Sequence, residues 1–402
     1  MEKVKLKFTS FYFLCYLIVF VLDCLVNFYI KLPVFVSFTI LFIPFTLLYI
    51  KSNKVNEFNL LTVFISLLLT STLINVFRFN LSLKNISDLI FILIFALTIV
   101  LYNNNKNELS HKNINRFSVI CLIMFYVTFL GVDNTRWGNT LNSGSHDLEY
   151  LRSYKQGLFR ISHIAAYFFA FLGFYYFYIY KTFKKRKNLL FSFVMFFSVI
   201  LVGSRAPLVA ILMGFLIASF RVKYIKYLFF IFIALFFIIS NIDIILELTK
   251  GSVVFQYFSI FKTIVTNFAR LSRIIIWTSF FEELLKFNLI DVFFGRGVNN
   301  ALVINGKKGL GEIWFHNDFL SIFYSFGIIN FILYIIFFIN LFLTNKMSMN
   351  NTIIRTLFFT IIFLAFFNGF YLYYVMFPLY IFFKLISIEK TKMINFTKKT
   401  YD

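Results

Sequence analysis

Proline, cysteine, histidine and tryptophan are all scarce in this 402-residue chain, with 4, 3, 4 and 3 copies, and glycine is thinly used at 15. So few Gly and Pro leave few places where a long helix must break. Cys15, Cys24 and Cys121 all fall within apolar runs. They form neither a disulfide framework nor a metal-ligand spacing, and read as packing residues. No His has a second His or Cys at metal-binding spacing, so no metal site and no cofactor are expected. Acidic residues number only 17. They form no ladder of intramembrane carboxylates of the kind a proton-coupled transporter uses. There is no Walker lysine–hydroxyl pair and no strand–Gly–helix context for a nucleotide.

Apolar residues make up 60% of the chain, and the mean hydropathy is +0.83. A soluble domain is about half apolar, so this composition places the chain in the polytopic membrane class. The net charge of +22 is not gathered into a basic domain. It lies mostly in connectors beside apolar runs, which points to the positive-inside rule and not to nucleic acid.

A bilayer crossing takes about 20 apolar residues. Runs of suitable length occur at about 8–30, 32–50, 58–77, 85–102, 117–133, 161–180, 188–203, 206–220, 224–244, 318–343, 353–370 and 371–388. With the N-terminus inside and connectors alternating, the inner side holds more than half of the 39 basic residues but under a third of the 17 acidic ones. The run Lys181–Lys187 is the strongest inner anchor. The expected fold is therefore an all-α polytopic membrane protein of about 12 transmembrane helices, with residues 1–402 as a single transmembrane domain and both termini inside. One long outer loop, 246–315, separates spans 9 and 10, and a smaller outer loop covers 133–160. A loop that long in a compact bundle usually carries function.

Four constellations on the outer side could carry chemistry. Gly203-Ser204-Arg205-Ala206-Pro207 links two spans. An Arg at a membrane boundary can simply snorkel, but a guanidinium in a tight turn before a helix N-terminus also suits an anion. Within 252–287, apolar residues recur at helical spacing, predicting a helix in the interface. There Arg270 and Arg273 share a face. They either anchor at lipid headgroups or grip a diphosphate together. Phe294-Gly295-Arg296-Gly297 and the glycines that follow predict turns, or merely a flexible loop. Last, Trp314-Phe315-His316-Asn317-Asp318 stands where the chain re-enters the membrane. His316 is suited to proton exchange near neutral pH, or else to an ordinary interfacial hydrogen bond. Trp314 could stack on a sugar face, and aromatics also belt membranes. Arg160, closing the smaller loop, is a further candidate for substrate contact.

These blocks, in this order, resemble the O-antigen polymerase and ligase superfamily of bacterial envelopes. Gly203–Pro207 with Gly214 looks like its Ser-Arg turn. Arg273-Ile274-Ile275-Ile276-Trp277 followed by Phe294–Gly297 resembles its Arg…Trp…Gly-x-Gly block. His316-Asn317 with Gly327 resembles its His-Asn…Gly block. The chain departs from the pattern at Asn330, where small residues are typical, and neither Arg205 nor Arg273 has the Gly of an Arg-x10-Gly repeat. The resemblance implies a metal-independent glycosyltransferase of the inner membrane whose active face is periplasmic. It would join undecaprenyl-diphosphate-linked oligosaccharides into surface polysaccharide. Arg205 and Arg273 would hold the donor diphosphate and His316 would orient or deprotonate the acceptor hydroxyl. Arg270, Arg296, Asn317, Trp314 and Arg160 would contact substrate. Membrane lipids and a chain-length regulator protein are the implied partners. Two alternatives stay open: a ligase that passes the polymer to lipid A-core, and a polysaccharide flippase or transporter.

Overall fold

The computed structural model describes residues 60–79, 111–130, 157–159, 162–219, 241–250, 272–297, 315–369 and 381–392 except Phe383, with scattered positions in 252–262 and Asn300. All regular structure among the described residues is helical. The helices are α1 (Leu60–Phe79), α2 (His111–Tyr126, continued by a 3-10 turn Val127–Leu130), α3 (Ser162–Phe183), α4 (Arg186–Val202) and α5 (Arg205–Ser219). They continue with α6 (Ile242–Leu248), α7 (Ser272–Leu284), α8 (Leu289–Phe294), α9 (Asp318–Thr344) and α10 (Thr352–Phe367). Three stretches are long and apolar enough to cross a membrane: His111–Leu130, Ser162–Phe183 and Asp318–Leu343. Ser66–Phe79, Ala206–Ala218 and Thr352–Phe367 are shorter apolar helices. The expected spans at 8–30, 32–50, 85–102, 224–244 and 371–388 lie wholly or largely outside the described residues.

The chain forms two compact units. One comprises Met1–Ile120, Ile276–Ile354 and Leu364–Asp402; the other comprises Cys121–Ile275 and Arg355–Phe363. In the second unit α3 is the central helix, buried on nearly every face. Its tyrosines and phenylalanines leave no polar stripe, as expected of a helix surrounded by others. Lys184, with φ of 56°, reverses the chain so that α4 packs back along α3. The bare backbone of Gly173 accepts the Ser192 hydroxyl at 2.9 Å. A Cβ at Gly173 would meet the Phe196 ring at 3.0 Å. Phe174 meets Phe196 edge-on and Tyr176 stacks on Phe191. Gly214 of α5 lies closer still against residues 355–363, where an added Cβ would stand 2.5 Å from Thr360 Oγ1.

In the first unit α9 runs from Asp318 to Thr344 but breaks at Gly327, whose φ of 83° and ψ of 178° are not helical. The break lies nine residues into the helix, about 14 Å along its axis. Backbone carbonyls freed at a break need new donors, most of all in an apolar setting. They come from another part of the chain: Arg296 N–H donates to the Tyr324 carbonyl at 2.8 Å and Gly297 N–H to that of Ser325 at 3.1 Å. The expected long loop thus holds helices α7 and α8, and its Gly295–Gly297 segment is bound alongside the first third of α9. This close approach requires bare backbone. A Cβ on Gly295 would stand 2.4 Å from the Ser325 carbonyl carbon, and one on Gly327 only 2.0 Å from the Phe293 oxygen.

Polar side chains of α1 close the same junction. Asn75 Nδ2 donates to the carbonyls of Phe294 and Ser325 at 2.9 and 3.2 Å. Ser71 Oγ donates to Phe326 O at 3.1 Å, and Asn330 Nδ2 donates to Ser71 Oγ at 2.9 Å. Asn330, the position at which small residues are typical of the resembled family, is therefore part of the seam between α1 and α9.

Candidate functional site

Helix α7 presents an apolar stripe of Ile276, Trp277, Phe280 and Leu284, the i, i+1, i+4, i+8 spacing of one helix face. Ile276 and Phe280 are buried with Phe315 and Tyr324 in one aromatic cluster. Phe280 meets Phe315 edge-on at 5.3 Å between centroids, and Phe315 meets Tyr324 at 5.2 Å. The indole Nε1 of Trp277 donates to the Phe315 carbonyl at 3.0 Å. Phe315 is thus held both by its ring and by its peptide.

The next residue is His316, with φ of 50°. This left-handed conformation is uncommon in a residue other than glycine and costs of order 1–2 kcal/mol. Its ring is half-buried, with Nδ1 wholly buried. Asn317 then turns the chain into α9. Its side chain accepts from Leu320 N–H at 3.1 Å, satisfying one of the unpaired donors at the helix start. Asp318, the first helical residue, is buried, and its Oδ2 accepts from the Tyr334 hydroxyl at 2.9 Å. A carboxylate there also gains from the helix dipole.

A charge cluster lies where α8 meets α1. Asn288 and Asp291 form a reciprocal capping box at the start of α8. Asp291, only 1% exposed, pairs with Arg78 at 2.6 Å and with Arg296 at 2.9 Å. Burial pushes the Asp291 carboxyl up, but the hydrogen bonds from Arg78 and Arg296 outweigh it, and the group is held below its ordinary range. Burial likewise disfavours the Arg296 cation, yet its bond to Asp291 prevails and the guanidinium is held above its usual value. Arg296 also donates to Lys286 O at 2.6 Å, approaches Glu283 at 3.4 Å and lies over the Phe287 ring at 4.6 Å. Expected at the substrate, Arg296 has its donors turned to its own loop, where it works as a tether.

In the second unit, Gly203 ends α4 with φ of 77°, Ser204 is buried, and Arg205 is the first residue of α5. The turn is thus two residues, Gly203 and Ser204, with Arg205 already helical and Pro207 in the first turn, where its missing N–H costs nothing. The Ser204 hydroxyl is hydrogen-bonded to the His163 imidazole of α3. The sequence singled out the turn at Ser204 and Arg205 but held no reason to join His163 to Ser204, because that contact spans 41 residues. Arg273 is the second residue of α7. Arg205 and Arg273 belong to one unit, and His316, Asn317 and Arg296 to the other. Arg160, Arg270 and Trp314 lie outside the described residues.

No protein-family model matches the chain, and no curated protein matches it either.

Proposed function

We propose that this chain is a multi-pass inner-membrane glycosyltransferase that polymerises undecaprenyl-diphosphate-linked oligosaccharides on the periplasmic face. The observation that carries the reading is His316. A left-handed histidine, fixed between a buried aromatic and a capped helix start, is backbone strain at a residue able to exchange a proton. The sequence blocks that resemble the polymerase and ligase superfamily, and the apolar helices, support the same reading.

In the reaction, an acceptor sugar hydroxyl attacks the anomeric carbon of the donor. A new glycosidic C–O bond forms as the bond to the diphosphate oxygen breaks, and undecaprenyl diphosphate leaves. His316 accepts the hydroxyl proton as general base. Arg205 and Arg273 stabilise the negative charge that develops on the leaving diphosphate, assisted by Arg270. The growing chain, a chain-length regulator and surrounding lipid are the partners this reading proposes.

The test is the polysaccharide ladder of a deletion strain complemented with His316→Ala or Arg205→Ala. A polymerase gives only the one-repeat band, with lipid-linked single units on the outer leaflet. Loss of every antigen band with polymer retained on the lipid carrier identifies a ligase instead. The break of α9 at Gly327 favours one further reading, since discontinuous spans are common in transporters. Single units stranded on the inner leaflet would establish that one.

A further inference from the structure

We infer that Trp277 is a positioning residue for His316, acting through the peptide that joins Phe315 to His316. The inference rests on the reading of His316 as the proton acceptor. Its physical basis is local. The Phe315 carbonyl and the His316 N–H belong to one planar peptide, so fixing the carbonyl fixes one of the two planes that define the φ of His316. Trp277 Nε1 fixes that carbonyl at 3.0 Å. The residue on the other side is held as well. Asn317 caps α9 through its side chain, and its carbonyl accepts from Ser321 N–H at 2.9 Å. His316 is thus held between an anchored peptide before it and a capped Asn317 after it, which is how a conformation with φ of 50° can persist.

The indole itself has little freedom. Its ring meets Phe366 edge-on at 5.4 Å, and Phe366 in turn meets Phe319, in the first turn of α9. Ile276 and Phe280, its neighbours on α7, are buried against Phe315 and Tyr324. An indole needs a partner for its single N–H when partly buried, and here that partner is the carbonyl of the peptide that leads into His316. A tryptophan serving only as apolar filling would be replaceable by Phe.

Trp277→Phe keeps the ring packing and removes the N–H. With the full-length protein in proteoliposomes and a synthetic lipid-linked repeat unit as substrate, this variant should lose about ten- to a hundred-fold in kcat with KM nearly unchanged. Its pH–rate profile should move, because the histidine no longer sits in one environment. The 15N imidazole signal of His316, assigned by its loss in His316→Ala, should shift or broaden in Trp277→Phe while thermal stability stays near that of the parent. In a His316→Ala background, adding Trp277→Phe should change nothing further. The inference is overturned if Trp277→Phe retains kcat and the His316 signal, or if its effect is additive to that of His316→Ala. If His316→Ala itself keeps full activity, the functional reading fails, while the imidazole signal still reports whether Trp277 holds the residue.

Discussion

Arg78, in the last turn of α1, forms a 2.6 Å ion pair with Asp291, 213 residues further along the chain. Because the same carboxylate also takes Arg296, one buried acid joins a helix to a loop. Breaking a buried pair by removing one partner leaves an uncompensated charge. Asp291→Asn should therefore destabilise the protein by about 3–5 kcal/mol, read as a lower thermal midpoint in detergent. Asp291→Asn combined with Arg78→Met should recover part of that loss.

Acid should open the same junction. The folded Asp291 carboxyl is held below its unfolded value near about 3.9. Its stabilisation is thus fully present above that value and disappears as pH falls through the lower folded one. Limited proteolysis between residues 284 and 297 should accelerate in that acidic window for the parent. Asp291→Asn should be cleaved readily at every pH.

The glycines should differ sharply. Gly327→Ala and Gly295→Ala place a Cβ 2.0 and 2.4 Å from backbone atoms, so neither should yield a stable, monodisperse protein. At Gly297 an added Cβ meets only the Asn75 side chain among the described residues, no nearer than 3.5 Å. Gly297→Ala then carries little beyond the cost of φ at +77°, about 1–2 kcal/mol, measurable as a modest fall in thermal midpoint.

Ser204→Ala removes the hydroxyl bonded to His163 and should cost about 1 kcal/mol of stability. If the Ser204–Arg205 turn serves the donor diphosphate, repeat-unit turnover should fall well beyond what that loss explains. Unchanged turnover would assign the His163–Ser204 bond to packing alone.

The helices were legible because their signals are local. A run such as 318–343 needs only length and hydropathy, and α9 begins at Asp318 as that run expects. The breaks and seams were less so. Nothing around Gly327 distinguishes it from a glycine tolerated inside a helix, because the donors that replace its lost bonds come from Arg296 and Gly297. For the same reason nothing in the sequence marked Arg296 as an ion-pair partner. Its partners Asp291, Glu283 and the Lys286 carbonyl lie close in sequence, but only the turn between α7 and α8 aims them at it. His316 stood out by residue type, whereas the Trp277 bond that holds it spans 38 residues and has no pattern of its own.

The two borrowed hydrogen bonds at the break in α9 make that helix a jointed beam whose stiffness is set from outside. Bending it at Gly327 must either carry Arg296 and Gly297 along or peel them away. A pull on the chain beyond Gly297 is thus felt about a third of the way along α9 and not at its end. Arg296 is itself pinned by Asp291, so the buried carboxylate and the break in α9 belong to one connected set of contacts.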